Sequence, residues 1–123
     1  MTNEISYLLQ MGLSNGGLSD SYRSSTLRAD QTSARLVRIV QEIGLVEELL
    51  QTGDIVTPGF GVFSNFDDDN YVEIGSFVAA VFYPFIKLFP GEQSLCRVGV
   101  TAAQLYAKAN TAVVSLFFIM YDS

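Results

Sequence analysis

The chain has 123 residues, of which 49% are hydrophobic and 16% charged, and its formal net charge is −6. This length fits one domain with a modest core, and the apolar content excludes an intrinsically disordered chain. Seven basic residues against thirteen acidic ones, with no basic cluster, exclude nucleic acid and anionic membrane surfaces as expected partners.

The first 33 residues predict an N-terminal arm. A short apolar run, ISYLLQM, is followed by residues 12–33, which are rich in glycine and serine. Such a composition is typical of loops, and a loop this long is expected to be functional or ordered by a neighbouring chain. The first residues lack the basic segment of a secretory signal. No apolar run approaches the ~20 residues of a membrane-spanning helix, so a soluble protein is expected.

The segment 34–50 fits both a helix and a strand. Val37, Ile39 and Ile43 alternate with polar residues, as in a half-buried strand. Gly44 lies in the middle and weakens a helix by about 1 kcal/mol relative to Ala. Periodicity by itself nevertheless favours a helix, because six apolar residues share one helical face. They are Leu36, Ile39, Val40, Ile43, Val46 and Leu50.

From residue 55 onward the sequence predicts short β-strands. GFGVFSNF and YVEIGSFV are β-branched and aromatic runs, and the turn-forming stretch Asp67–Asn70 between them predicts a hairpin. FYPFIKLF follows. Because proline cannot donate to a central ladder, Pro84 limits this strand to a sheet edge or to a bulge.

Three further segments complete the predicted strands. Pro90–Glu92 is a Pro-Gly turn that leads into SLCRVGV, and QLYAKAN and TAVVSLFFIMY follow. The apolar strands on either side of this turn are expected to be covered on both faces. Short strands at such close spacing predict an all-β fold, a small antiparallel β-sandwich or barrel. The predicted organisation is an arm and Gly/Ser-rich loop over residues 1–33 and a β-sandwich domain over residues 34–123.

Catalytic constellations are missing from the sequence, so no enzyme, metal or cofactor is expected. Without histidine, neither Ser-His-Asp nor Cys-His nucleophiles nor His-containing zinc sites can form. The single cysteine, Cys96, is expected to be a small buried hydrophobe; the alternative is a reactive thiol beside Arg97. Other charged residues that a site could use are expected on the surface. They are Glu47, Glu48, Asp54, Lys87 and Lys108.

The acidic stretch FDDDNYVE is the strongest polar cluster. Clustered oxygens can bind Ca²⁺, but the spacing of Asp67, Asp68 and Asp69 does not match an EF-hand. Consecutive acids on one turn also lack the separation that a hydrolase needs. A solvated turn is expected, with a weak divalent-cation site as the alternative. Tyr71 beside these acids is the candidate for carbohydrate binding, and the aromatic run at residues 77–89 could line a pocket, although such runs more often form cores or interfaces.

Several motifs in a fixed order extend over about residues 38–122. They are Gly44 with Glu47 and Glu48, Gly53-Asp54 leading into Thr57–Gly59, Asn65, Asp67, Asn70–Gly75, Pro90–Glu92 and Tyr106–Ala112. With these motifs the chain resembles small virion structural proteins of tailed bacteriophages. The resemblance implies strands over residues 35–50, against the periodicity, and we adopt strands because tertiary pairing overrides local propensity.

The resemblance implies a structural role in a virion that assembles in the host cytoplasm. The leading expectation is a capsid decoration, or cement, protein that stabilises the head and contacts the major capsid protein or other virion proteins. The alternatives are a neck, tail or fibre-associated adaptor and a carbohydrate- or receptor-binding module. Low charge and many aromatic residues also predict a homo-oligomer, for which a trimer is our expectation, because large exposed apolar patches mark interfaces.

Overall fold

The structure, a computed structural model, describes residues 3–123. The chain divides into two compact units, Met1–Thr32 and Ser33–Ser123. All strand pairs of the described residues are antiparallel, and a short 3₁₀ helix spans Ala102–Gln104. Residues 3–123 contain no helix with the length and hydropathy of a membrane-spanning segment.

The N-terminal unit is an antiparallel ribbon made of two successive strand pairs. Its strands are β1 (Ile5–Tyr7), β2 (Gln10–Asn15), β3 (Leu18–Arg23) and β4 (Leu27–Ala29). β1 pairs with β4 and β2 with β3, and Ser24 bonds to Leu9 between the two pairs: its N–H donates to the Leu9 carbonyl at 2.9 Å and its Oγ accepts from the Leu9 N–H at 3.0 Å. Gly16-Gly17 closes the turn, and Gly16 has a φ of 58°, which glycine adopts at little cost.

The loop predicted for residues 12–33 is therefore wrong. This stretch forms β2, β3 and β4 instead, with a two-residue turn between β2 and β3. Gly12, Ser14, Ser19 and Ser21 occupy the polar side of β2 and β3, and the apolar residues alternate with them. Gly16-Gly17 forms the turn between these strands. Cross-strand pairing along the ribbon outweighs the weak strand propensity of small residues.

The second unit is a sandwich of two four-stranded sheets. Its strands are β5 (Leu36–Ile43), β6 (Glu48–Leu49), β7 (Pro58–Asn65), β8 (Val72–Val78), β9 (Val81–Leu88), β10 (Gln93–Arg97), β11 (Leu105–Ala109) and β12 (Val114–Asp122). The first sheet has the order β10-β7-β12-β5 and the second β6-β11-β8-β9. The all-β sandwich that the sequence predicted is confirmed. β5 and β6 also show that the helix favoured by the periodicity of residues 34–50 is wrong.

The core lies between the sheets and is built on β12. From Val114 to Asp122 every second residue of this strand is buried, and the residues between them are half-buried. The buried set packs against Ile74 and Leu105 of the second sheet, and the rings of Phe63 and Phe118 lie 6.2 Å apart. Burying a large apolar side chain contributes about 1.5–3 kcal/mol, so this central strand holds much of the stability.

Both turns that the sequence predicted in this unit connect one sheet to the other. β7 pairs with β10 and β12, whereas β8 pairs with β9 and β11, so the hairpin predicted around Asp67–Asn70 is wrong. Pro90–Glu92 likewise joins β9 in the second sheet to β10 in the first. The residues of a short turn are selected by the local dihedral angles that the turn requires. They do not indicate whether the two flanking strands pair with each other or belong to different sheets.

β9 is an edge strand with a bulge, as Pro84 predicted. Ile74 lies opposite Ile86 and Gly75 opposite Pro84, which leaves Phe85 as the extra residue. The expectation that this strand is covered on both faces is wrong, since Phe85 is 48% exposed. The bulge brings Gly75 so close to the backbone of β9 that a Cβ at this position would lie 2.6 Å from the Pro84 Cα.

A tight turn, Ala79-Ala80, joins β8 to β9. Val78 and Val81 pair directly on either side of it. The φ angles of Ala79 and Ala80 are 52° and 63°, the left-handed values that a two-residue hairpin turn requires and that glycine or asparagine usually supplies. The sequence concealed this turn, because FVAAVFY has no turn-forming residue and looks like one continuous strand.

Candidate functional site

The outer face of the first sheet, on the side away from the core, carries apolar residues on all four of its strands. Val40 of β5 lies opposite Phe117 of β12, and Val62 of β7 lies opposite both Ile119 and Leu95. We call this surface the outer sheet face. Its apolar members are Leu36, Val40, Val62, Leu95, Phe117 and Ile119.

Exposure differs across the outer sheet face. Leu36 and Val40 on the edge strand are 64% and 52% exposed, whereas Phe117 is half-buried. The Phe66 ring stacks on the Phe117 ring at a centroid distance of 5.3 Å and an angle of 7°. Since soluble monomers seldom expose contiguous apolar patches, a surface of this kind is a candidate for contact with another protein.

Three charged residues share this face, and two of them are engaged locally. The Ser115 hydroxyl donates to the Glu42 carboxylate at 2.6 Å, and the Arg97 guanidinium lies 4.5 Å from the centre of the Phe60 ring. Arg38, on β5 opposite Ile119, is exposed and makes no ion pair with another described residue. Of the two basic residues on this face, Arg38 is therefore the one without an ion pair or a ring contact among the described residues.

One side of the ribbon is a second apolar surface. Met11 lies opposite Tyr22, Leu13 opposite Asp20, and Leu18 follows in the same row. Met11 is 69% and Leu18 60% exposed. We call this surface the ribbon face. Its apolar members are Leu9, Met11, Leu13, Leu18 and Tyr22.

The other side of the ribbon is polar. It carries Gln10, Gly12, Ser14, Ser19, Ser21 and Arg23. Every residue of β2 and β3 is exposed, although an isolated two-stranded hairpin is at best marginally stable in water. The ribbon face is thus an amphipathic surface suited to lying on another apolar surface.

The acidic turn is organised around Asp67. Its carboxylate accepts hydrogen bonds from the N–H groups of Asp69 at 3.0 Å and Asn70 at 2.7 Å. These two bonds hold the pKa of Asp67 below its ordinary value. Asp68 and Asp69 are exposed. Because the carboxylate of Asp67 is committed to its own turn, the stretch behaves as a structural turn.

Asn65 is the buried centre of this corner of the sandwich. Its side-chain amide donates to the carbonyl oxygens of Asn70 at 2.8 Å and Leu88 at 3.0 Å, and its Oδ1 accepts from the Asp67 N–H at 2.8 Å. Its backbone also bonds to the Pro90–Glu92 turn. In the sequence, Asn65 appeared only as one of the motif residues of the resemblance, and no structural role was assigned to it.

Tyr71, the candidate for carbohydrate binding, is half-buried, and its ring is in contact with Lys87 and Phe89. The Lys87 ammonium lies 4.1 Å from the centre of the Tyr71 ring and 5.2 Å from that of Phe89. The Tyr71 and Phe89 rings meet edge to face at 6.0 Å. Sugar stacking needs an open aromatic face, so this arrangement argues against such a role for Tyr71.

The other charged candidates lie on the surface or at its edge, where they make local contacts or face solvent. Lys108 is 3.8 Å from Glu47, and Glu48 accepts from the Gly44 N–H at 3.0 Å. Asp54 is exposed. Among residues 3–123, no group of three or more Cys, Asp or Glu side chains is arranged to hold a metal ion.

Cys96 lies on β10, half-buried and packed against the core. Burial raises the pKa of its thiol. A raised pKa lowers the fraction of thiolate at neutral pH and therefore the reactivity. This environment agrees with a small apolar role for Cys96 and not with an activated thiol beside Arg97.

Comparison of the chain with models of known protein families, with curated proteins and with solved structures gave no match. The resemblance to virion structural proteins therefore stays a prediction from the sequence motifs.

Proposed function

We propose that this chain is a structural component of a tailed-phage virion, a decoration or cement protein that binds the outside of the capsid and stabilises the head. The observation that carries the proposal is the pair of exposed apolar surfaces, the outer sheet face and the ribbon face. Together they support assembly into a larger particle. The order of the sequence motifs indicates which particle this is, because it resembles that of structural proteins of tailed-phage virions. Such a component has a structural role and catalyses no reaction.

The sandwich has physical properties that suit such a role. The long strand β12 lies between two neighbours, and its inward residues are fully buried, so the domain can resist unfolding outside the cell. A lattice presents the same site many times. Contacts that are weak singly become strong when several are made at once, provided that the geometry allows simultaneous binding.

The test begins with virions of the phage that encodes the chain. We expect mass spectrometry to find the protein in purified particles, and reconstruction of the particle to place it over the whole capsid lattice. Heads assembled without it should bind the purified protein and then release their DNA at a higher temperature than bare heads do.

Each outcome separates the candidate functions. Protein confined to one vertex would replace the decoration role by that of a neck or tail adaptor. Absence from virions, together with no binding to heads or tails, would overturn a structural role altogether.

A carbohydrate-binding role makes a different expectation. Binding to glycans should be lost in Tyr71→Ala if that residue stacks on a sugar. Because the Lys87 ammonium already lies against a face of the Tyr71 ring, we expect no glycan binding by the parent chain.

A further inference from the structure

We propose that the ribbon face of one copy binds the outer sheet face of a second copy, so that the chains assemble by exchanging ribbons. This inference names the surfaces for the self-association that the proposed function assumes, and it rests on that part of the proposal alone. It involves neither capsid nor DNA.

The two surfaces match in shape and size. Each is a row of large aliphatic and aromatic side chains on an antiparallel sheet. A six-residue strand of the ribbon spans about 20 Å, and the five residues of β5 from Leu36 to Val40 span about 16 Å. Apolar sheet faces pack together at about 10 Å, and the packing removes both from water.

Their charges are complementary. Asp20 is the charged residue of the ribbon face, opposite Leu13 and between Leu18 and Tyr22. Arg38 lies on the outer sheet face between Leu36 and Val40, whereas the other basic residue of that face, Arg97, already lies against the Phe60 ring. Both are exposed, and neither makes an ion pair with another described residue. A ribbon lying on the sheet of a second copy can bring the two charges together.

A second copy is the occupant that fits best, because every copy carries both surfaces. Reciprocal exchange covers each ribbon and each sheet and leaves no unmatched surface, either in a two-fold dimer or in a closed ring. Pairing of opposite charges within an apolar contact sets the register, since a shifted contact would leave both charges without partners.

The first experiment measures assembly of the purified full-length chain by sedimentation across a wide range of concentration. We expect a concentration-dependent oligomer. Asp20→Arg and Arg38→Asp should each weaken association at least about tenfold, and the double variant should recover most of the loss. Asp68→Arg makes the same change of charge on the exposed acidic turn and should leave association unchanged.

Rescue by the double variant distinguishes pairing from misfolding, because two changes that each damaged the fold would not repair one another. A chain that stays monomeric at all concentrations would overturn the proposal. So would an oligomer that is indifferent to both charge reversals, or a double variant that remains as weak as the single ones.

The second experiment asks whether the contact is between chains. In a Cys96→Ala background, Met11→Cys and Val40→Cys variants of different mass are mixed and oxidised. We expect a disulfide-linked species that contains one chain of each kind. A variant that carries both Met11→Cys and Val40→Cys is oxidised in parallel. The opposite result is no mixed species in the first sample and a disulfide within single chains in the second. It would show that each ribbon covers its own sheet, and it would overturn exchange.

A failure in these experiments is distinct from a failure of the virion role. The purified chain is tested without particles, so a monomer that still binds heads would remove the exchange model and keep the decoration function. An oligomer that ignores heads would do the reverse.

Discussion

The side-chain amide of Asn65, in the first sheet, donates a buried hydrogen bond of 3.0 Å to the carbonyl oxygen of Leu88, in the second sheet. Asn65 is 1% exposed. Because its other amide bond goes to the acidic turn, this one side chain holds two strands and a connection in place at the corner where the chain passes between sheets.

Asn65→Ala should therefore destabilise the protein by about 3 kcal/mol. The substitution leaves the carbonyl oxygens of Asn70 and Leu88 without these donors, and an unsatisfied buried polar group costs about 1–3 kcal/mol. Urea unfolding gives the difference. Asn15→Ala, at an exposed asparagine of the ribbon, is the control and should have little effect. Equal midpoints for the two variants would contradict the role of Asn65.

Gly75→Ala should cost about 3 kcal/mol, since an added methyl group would press against the backbone of β9 at Tyr83 and Pro84. Backbone atoms cannot move aside as a flexible side chain can. At Gly99 a Cβ would meet no atom within 4 Å, so Gly99→Ala is the matched control and should change stability by less than about 0.5 kcal/mol. Thermal unfolding of both variants is the measurement, and a mild Gly75→Ala would refute the close approach at the bulge.

The turn at Ala79-Ala80 offers a stabilising substitution. Left-handed φ angles cost an L-residue about 1–2 kcal/mol and cost glycine little. Ala80, with its φ of 63°, should therefore gain about 1 kcal/mol of stability as Ala80→Gly. At the exposed Ala112, which lacks a positive φ, the same substitution should lose about 0.5 kcal/mol. A loss of stability in both variants would show that the turn does not use the left-handed region.

The sequence predicted the strands after residue 55, which are runs of β-branched and aromatic residues. β12 alternates buried and half-buried residues without a break, and Pro84 places β9 at an edge. What the sequence could not supply were the pairings. Asp67–Asn70 and Pro90–Glu92 have turn chemistry, but which sheet each next strand joins depends on contacts distant in sequence, such as the bond from Asn65 to Leu88.

In the sequence, the two candidate surfaces were evident only as a high overall content of apolar residues. High apolar content and low charge predicted an interface, but not its position. Leu36 and Val40 belong to the outer sheet face only because β5 is a strand, and helical periodicity grouped them with residues of the core. In the ribbon, the many glycine and serine residues indicated a loop. The alternation that places Met11, Leu13, Leu18 and Tyr22 on one side was therefore not recognised.

Asp67 gives stability that depends on pH. Hydrogen bonds from Asp69 and Asn70 lower the folded-state pKa of its carboxyl below the ordinary value, so the stabilisation is complete above the unfolded pKa and is lost as pH falls through the folded one. Asp67→Ala should unfold at less urea than the parent at neutral pH, and the gap should close below about pH 4. Asp68→Ala is the control for loss of charge alone. A gap that persists unchanged in acid would show that the carboxylate charge is not the cause.

The Cys96 thiol should react slowly in the folded protein. Its burial raises the pKa, so the pH profile of alkylation by iodoacetamide should be shifted upward relative to a free thiol. In denaturing urea the shift should disappear, because the desolvation that causes it is gone. Ser19→Cys in a Cys96→Ala background places a thiol on the exposed polar side of the ribbon and should react as fast as a small-molecule thiol. A native Cys96 that reacts as fast as that exposed thiol would reverse the assignment and make it an accessible nucleophile beside Arg97.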